Sequence, residues 1–198
     1  AVLSIDSLFF YQLELEASKT VLVREDSVWL TSIENEMLKG ELRVAENDDL
    51  PMEINLDRII IDDSKTVDFS MSEVRPWDID DINFSTASLV IGNEDYGSWS
   101  FRYSFNDQIA RFEDVEASVA GLHVMPSSKI EWRATNGFNS SRFVGEIQVD
   151  DLAIWMQKFG FASSIQGQGL KLEADIVWPE SPFMLDFERL VGSFGISE

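Results

Sequence analysis

Apolar and polar residues alternate along this chain in one segment after another, and that alternation limits what it can fold into. Successive side chains of a β-strand point to opposite faces, so a period of two indicates strands with one buried and one solvated face. Turn-forming clusters separate the segments at spacings that favour antiparallel meanders. We therefore predict a mostly β, antiparallel fold. The clearest alternating segments are Leu13–Ala17, Ile54–Leu56, Trp99–Phe105, Val115–Val119, Phe143–Val149 and Leu170–Ile176.

One segment has the spacing of a short α-helix instead. Asp150 or Asp151 can cap its first N–H groups, and Gly160 supplies a stop signal. These signals predict a helix near residues 151–159. The residues that would share its apolar face are Leu152, Trp155, Met156 and Phe159.

Parts of the sequence resemble one another, which suggests repeated β modules. The pattern of residues 29–42 is similar to that of residues 112–123, and residues 5–10 are similar to residues 79–84. Residues 31–40 also have capping-box spacing, but this similarity favours a strand there. Modules that bury a face only against their neighbours build elongated structures. We predict a single β-rich fragment, 1–198. Two repeated modules, of about 1–75 and 76–198, are one interpretation of the similarity, and chance similarity between hairpins is the alternative.

The charge balance argues against several classes of partner. Fifteen basic and 36 acidic residues give a net charge of −21, and the chain has no cysteine. Such a field repels phosphates, so nucleic acid is not an expected partner, and no disulfide or thiolate chemistry is available. No window has the length and apolarity of a membrane span, and the chain starts within a predicted strand. We expect a piece of a longer protein whose anchor lies elsewhere.

The sequence contains little that could form a reaction centre. His123 is the only histidine, so Ser-His-Asp and His-rich metal sites are not expected. Adjacent acidic pairs, such as Asp80 and Asp81, are expected by chance among 36 acidic residues, and an acid-pair hydrolase is only a remote alternative. We expect a protein that is not an enzyme and that needs no cofactor or metal.

Large apolar residues on one strand face form the most promising functional feature. They could line a closed core between two sheets, or the inside of a curved sheet that is open to a hydrocarbon ligand such as an acyl chain. The candidate lining residues are Trp99, Phe101, Tyr103, Leu170, Leu172 and Ile176.

The order of segments resembles the C-terminal region of YhdP-type proteins, within the AsmA-like group. The similarity covers essentially the whole chain and is most specific in residues 141–195, where a Trp-Pro-x-Ser-Pro run follows the short helix. Family-signature positions with structural roles are Asp151, Gly160, Trp178, Pro179 and Pro182. Glu180 departs from the family pattern, which has glycine there. Glutamate fits the turn only if the turn needs no positive φ.

The resemblance implies a function as well as an elongated, curved β-groove. It implies a periplasmic segment of a Gram-negative protein that is anchored in the inner membrane and carries phospholipid toward the outer membrane. Its partners would be phospholipid acyl chains and other segments of the same long chain. A structural or protein-binding β-module of the cell envelope, with a closed core, is the alternative.

Overall fold

A computed structural model describes residues 2–10, 13–47, 50–61, 74–135, 138–158, 167–184 and 189–196, with only the backbone described before residue 19. Fourteen strands form one sheet. The strands are β1 (Val2–Phe10), β2 (Leu13–Glu25), β3 (Val28–Glu34), β4 (Leu38–Ala45), β5 (Met52–Ile61), β6 (Ile82–Thr86), β7 (Leu89–Ile91), β8 (Glu94–Asp95), β9 (Ser98–Asn106), β10 (Ile109–Val119), β11 (Leu122–Thr135), β12 (Phe138–Asp151), β13 (Gln168–Trp178) and β14 (Val191–Ile196). The prediction of a mostly β fold is confirmed.

The sheet is curved and open, with β1 and β14 at its two ends. Its order is β1-β2-β3-β4-β5-β6-β9-β10-β11-β12-β13-β14, while β7 and β8 form a short branch beside β5. Neighbours are antiparallel except where β5 pairs with β6 and with β7, which are parallel pairs. The predicted antiparallel meander is thus interrupted once along the chain.

The one α-helix in the described part of the chain, α1 (Leu152–Lys158), begins where the sequence predicts. The backbone N–H groups of Ala153 and Ile154 donate to Asp151 Oδ1 at 2.9 and 3.1 Å. Asp151 therefore satisfies two donors that the first helical turn leaves unpaired. The predicted last residue, Phe159, and the stop signal, Gly160, lie outside the described residues. A short 3-10 turn spans Pro76–Asp78.

Residues 31–40 form strands, as predicted, rather than the helix that their capping-box spacing allowed. Asn35 makes the turn between β3 and β4, because its Oδ1 accepts hydrogen bonds from the backbone N–H groups of Met37 and Leu38. The internal similarity does not mark equivalent positions, however. Gly40 lies inside β4, whereas Gly121 lies in the β10–β11 turn with φ at +81°. The division into two modules stays a prediction.

Strand register gives the sheet two distinct faces. Residues paired across strands lie on the same face, so a row of partners runs across successive strands of the sheet. One row reads Ile33, Gly40, Leu56, Thr86, Trp99, Ala117, Val124, Ile147, Leu172 and Ile196. We call the face that carries this row the apolar face. The opposite side, the polar face, carries the row Ser98, Ser118, His123, Gln148 and Lys171.

Candidate functional site

The apolar face is continuous across both halves of the sheet. Beside the row already given, a second row reads Thr31, Leu42, Ile54, Phe84 and Phe101, and a third reads Ile82, Tyr103, Phe112, Ile130, Phe143 and Ile176. None of the side chains in these three rows is charged. Both buried hydrophobic clusters of the described residues lie on this face. Over these three rows, the sheet therefore presents a continuous apolar surface rather than scattered apolar patches.

One margin of the apolar face, over β9–β13, is covered by two loops. The Tyr103 hydroxyl donates a hydrogen bond to the carbonyl of Pro76, in the 3-10 turn. Phe183, which follows β13, places its ring 6.2 Å from the Phe112 ring and 6.0 Å from the Trp132 ring. Trp132 has no solvent exposure. This margin is a closed core.

The six predicted lining residues all lie on the apolar face, but in different environments. Tyr103 is only 2% exposed, so ligand contact there would require the Pro76 segment to move. Phe101 is half-buried and stacks on Phe84 with a centroid distance of 4.9 Å. Trp99, Leu170, Leu172 and Ile176 are half-buried as well. Three strands separate β9 from β13, so the two predicted groups stand about 19 Å apart along the sheet.

The sequence reasoning missed the part of this face that lies on β3–β6 and β14. Ile33, Leu42 and Ile54 belong to it, and Ile196 continues it to the C-terminal edge strand. The run Leu38–Val44 carries a signal that could have found it, since Leu38, Leu42 and Val44 alternate with charged residues around Gly40.

The Trp-Pro-x-Ser-Pro run is a buried turn, and the expectation about Glu180 is wrong. Trp178 is 3% exposed and its indole N–H donates to the Ser181 carbonyl at 3.1 Å. Glu180 has φ at +135°, so the turn does require a positive φ at this position. Two bonds hold Glu180 there: its N–H donates to the Asn139 carbonyl, and its carbonyl accepts from Ser141 Oγ at 2.8 Å. Pro179 and Pro182 flank this turn and are half-buried.

His123 lies on the polar face in a chain of hydrogen-bonding groups. Its Nδ1 is 3.2 Å from Ser118 Oγ, and its Nε2 is 3.3 Å from Asp150 Oδ2. In serine hydrolases the acid holds Nδ1 and the serine faces Nε2, so the two nitrogens have exchanged roles here. Within the described residues, no group of three or more His, Cys, Asp or Glu side chains could hold a metal ion.

Two exposed carboxylates on this sheet have pKa values shifted by local bonds. Arg142 donates through Nε and Nη2 to the two Asp175 oxygens at 2.8 and 2.6 Å, which lowers the pKa of Asp175. The pKa of Asp151 is lowered chiefly by the Ile154 N–H, then by the Gln168 side chain. Both shifts favour the charged form and reflect surface structure rather than an activated acid.

The fold and the face together define a class of protein: an open, curved β-sheet with one apolar side. A family profile described as YhdP protein matches residues 1–197, and the chain belongs to this family. Membership places it among AsmA-like envelope proteins. Searches of curated proteins and of solved structures both find no match. In the described ranges, no helix has the length and apolarity to cross a bilayer.

Proposed function

We propose that this chain is a non-catalytic section of a lipid conduit, in the periplasmic part of a longer protein anchored in the inner membrane. Acyl chains of phospholipid would lie against the apolar face while the polar face stays in water. The observation that carries the proposal is the register: three adjacent rows across the sheet contain no charged side chain.

The energetics of such a surface support passive transfer. Each methylene moved out of water onto apolar surface contributes roughly 0.8 kcal/mol, without any specific contact. A face with uniform chemistry offers similar affinity at neighbouring positions, so a chain can move along it without crossing a charged barrier. The acidic residues, at a net charge of −21, keep the remainder of the molecule solvated.

A structural or protein-binding module with a closed core is the second candidate. The covered margin favours this closed-core module, because four of its aromatic side chains are packed and buried: Tyr103, Phe112, Trp132 and Trp178. The conduit proposal therefore depends on the half-buried side chains of Trp99, Phe101 and Leu172, together with the exposed edge strand.

Lipid uptake by charge-bearing variants tests the proposal. Native mass spectrometry of the gently purified chain should detect bound phospholipid, and a fluorescent fatty acid should bind. Leu172→Asp should abolish most uptake, because a carboxylate within the apolar row cannot be solvated by an acyl chain. Lys171→Asp is the matched control, since residue 171 neighbours Leu172 but lies on the polar face.

Folding of each variant is checked by circular dichroism. Ile196→Asp serves as a second variant, because Ile196 is in register with Leu172 but 78% exposed and cannot unfold the core. Absence of lipid from the wild-type chain, or equal uptake by wild type and a folded Leu172→Asp variant, contradicts the conduit. Phe101→Asp separates the two candidates further: global unfolding indicates a sealed core, and loss of uptake in a folded protein indicates an open face.

A further inference from the structure

The polar face carries a depression of about 680 Å³ whose shape follows from the sequence. Its floor is made of serines on three neighbouring strands: Ser85 on β6, Ser98 and Ser100 on β9, and Ser118 on β10. Longer side chains stand on both sides, with Asn55 and Asp57 on β5 and with His123, Met125 and Gln148 on β11 and β12. Short side chains between long ones leave a trough.

Strand register sets the floor hydroxyls close together. Ser85 is paired with Ser100, and Ser98 with Ser118, so each pair of Cβ atoms is about 5 Å apart. Ser85 Oγ also donates to Asn55 Oδ1 at 2.8 Å. Every hydroxyl supplies one donor and two acceptor positions, and the amides of the walls supply more of both. The trough is thus a dense array of paired donors and acceptors.

A second depression, of about 340 Å³, continues the trough along the strands. It shares Asn55, Ser85 and Ser100 with the first and extends to Asn83 and Arg102. From Ser98 to Arg102 the backbone of β9 covers about 14 Å. The trough is therefore long enough for an extended ligand rather than a single small group.

The chemistry of the lining selects among ligand classes. No lysine or arginine lines the larger depression, whereas Asp57 and Glu116 do, so phosphate and sulfate groups are repelled. The hydroxyl groups of the floor offer little apolar contact to a hydrocarbon ligand. Carboxylates, hydroxyls and amides together match a ligand that presents many neutral hydroxyl groups, since each can both donate and accept.

We infer that the polar face holds a binding site for a neutral oligosaccharide, centred on Ser98, Ser100 and Ser118. In this site Asp57 and Glu116 accept hydrogen bonds from saccharide hydroxyls, and His123 is held in position by Ser118 and Asp150. The site lies on the opposite side of the sheet from the apolar face. Saccharide binding and lipid binding can therefore be tested with separate side-chain variants.

Amide-detected NMR titration of the 198-residue chain tests the site. Maltotriose and the trimer of N-acetylglucosamine are the neutral probes, and glucose 6-phosphate is the anionic probe. At least one trimer should shift amides of β6, β9 and β10 saturably, with a dissociation constant tighter than about 10 mM. Ser100→Leu, which fills the floor, should weaken binding at least tenfold. Ser104→Leu is the matched control, because residue 104 lies on the same strand and face but outside the trough.

Three results would overturn the inference. The first is no saturable shift with either neutral trimer. The second is wild-type affinity in the folded Ser100→Leu variant. The third is binding of glucose 6-phosphate as tightly as the trimers. If Ser100→Leu does not fold, Gln148→Ala replaces it, because this wall residue is half-exposed and its truncation leaves the floor intact.

Discussion

On the apolar face, the margin of β9–β13 that two loops cover is a closed core, whereas β14 and the Trp29 end of β3 are exposed, although the same kinds of residue occupy both regions. Trp132 is fully buried in the covered region, whereas Trp29 on β3 is 38% exposed. On β14, Phe194 and Ile196 are 60% and 78% exposed. The loops that contain Pro76 and Phe183 lie over the covered margin. Ile33, Leu38, Ile54 and Leu56, on β3–β5, form a second buried cluster on this face.

Loops, rather than a second sheet, thus close the core over the β9–β13 margin. The covered region can supply most of the stability, because its aromatic side chains are fully removed from water. The exposed strand β14 and the half-buried side chains of Trp99, Phe101 and Leu172 stay available to a ligand. A single face can thus combine a folding core with a binding surface.

The largest expected effect separates the two regions by stability. Trp132→Ala should lower the free energy of unfolding by about 3–5 kcal/mol, since it leaves a cavity in the covered core. Ile196→Ala, on the exposed flank, should change it by about 0.5 kcal/mol or less. Urea denaturation followed by circular dichroism measures both. Similar losses for the two variants would remove the distinction between core and flank.

Removing the Phe183 side chain should open part of the covered core to a ligand. Phe183→Ala should cost only about 1 kcal/mol, because Phe183 is 42% exposed, yet it uncovers Phe112 and Trp132. Uptake of a fluorescent fatty acid should rise. Met184→Ala is the control, since Met184 is equally exposed at 43%. Unchanged or reduced uptake in the Phe183→Ala variant would show that the cover does not limit access.

The strained turn beside the cover offers a smaller, stabilising change. A positive φ at a non-glycine residue costs about 1–3 kcal/mol, and Glu180→Gly relieves it. Greater freedom of the unfolded chain and loss of the exposed ion pair with Arg189, at 3.7 Å, offset part of the gain. We expect a net stabilisation of roughly 1 kcal/mol. Glu180→Ala removes the ion pair but keeps the positive φ at a non-glycine residue, so it should not stabilise the protein. Equal free energies of unfolding for the Glu180→Gly and Glu180→Ala variants would show that residue 180 is not strained.

The smallest effect concerns acid pH and helix α1, outside both regions. The pKa of Asp151 is lowered from its ordinary 3.8, so its cap stabilises the helix above that pH and is lost as pH falls through the lowered pKa. Carbon-detected NMR titration should give a midpoint below 3.8, with helix amides shifting in parallel. Asp151→Asn keeps an acceptor that does not titrate, so its helix amides should lose this transition. A midpoint at or above the ordinary value would contradict the cap.

Local patterns predicted much of the fold, and long-range contacts explain what they missed. Alternation located the strands, and Asp151 with the following apolar spacing located the helix, because both signals act over a few residues. The parallel pairing of β5 with β6 depends on how the chain crosses between the two strands, and the alternation of apolar and polar residues does not indicate this. Contacts of Phe183 with Phe112, or of His123 with Asp150, join residues far apart in sequence. Alternation therefore identified the apolar face but not which part of it is covered.

Photocrosslinking can test directly whether lipid lies on the apolar face, because it reports contact with lipid residue by residue. A photoreactive phenylalanine analogue would replace Trp99, Phe101 and Leu172 on the apolar face and Ser98, Arg102 and Lys171 on the polar face, in lipid-loaded protein. Phospholipid adducts are expected at the first three positions and not at the other three, which gives a period of two along each strand. Equal labelling of both faces, or no adduct on the apolar face, would contradict this expectation.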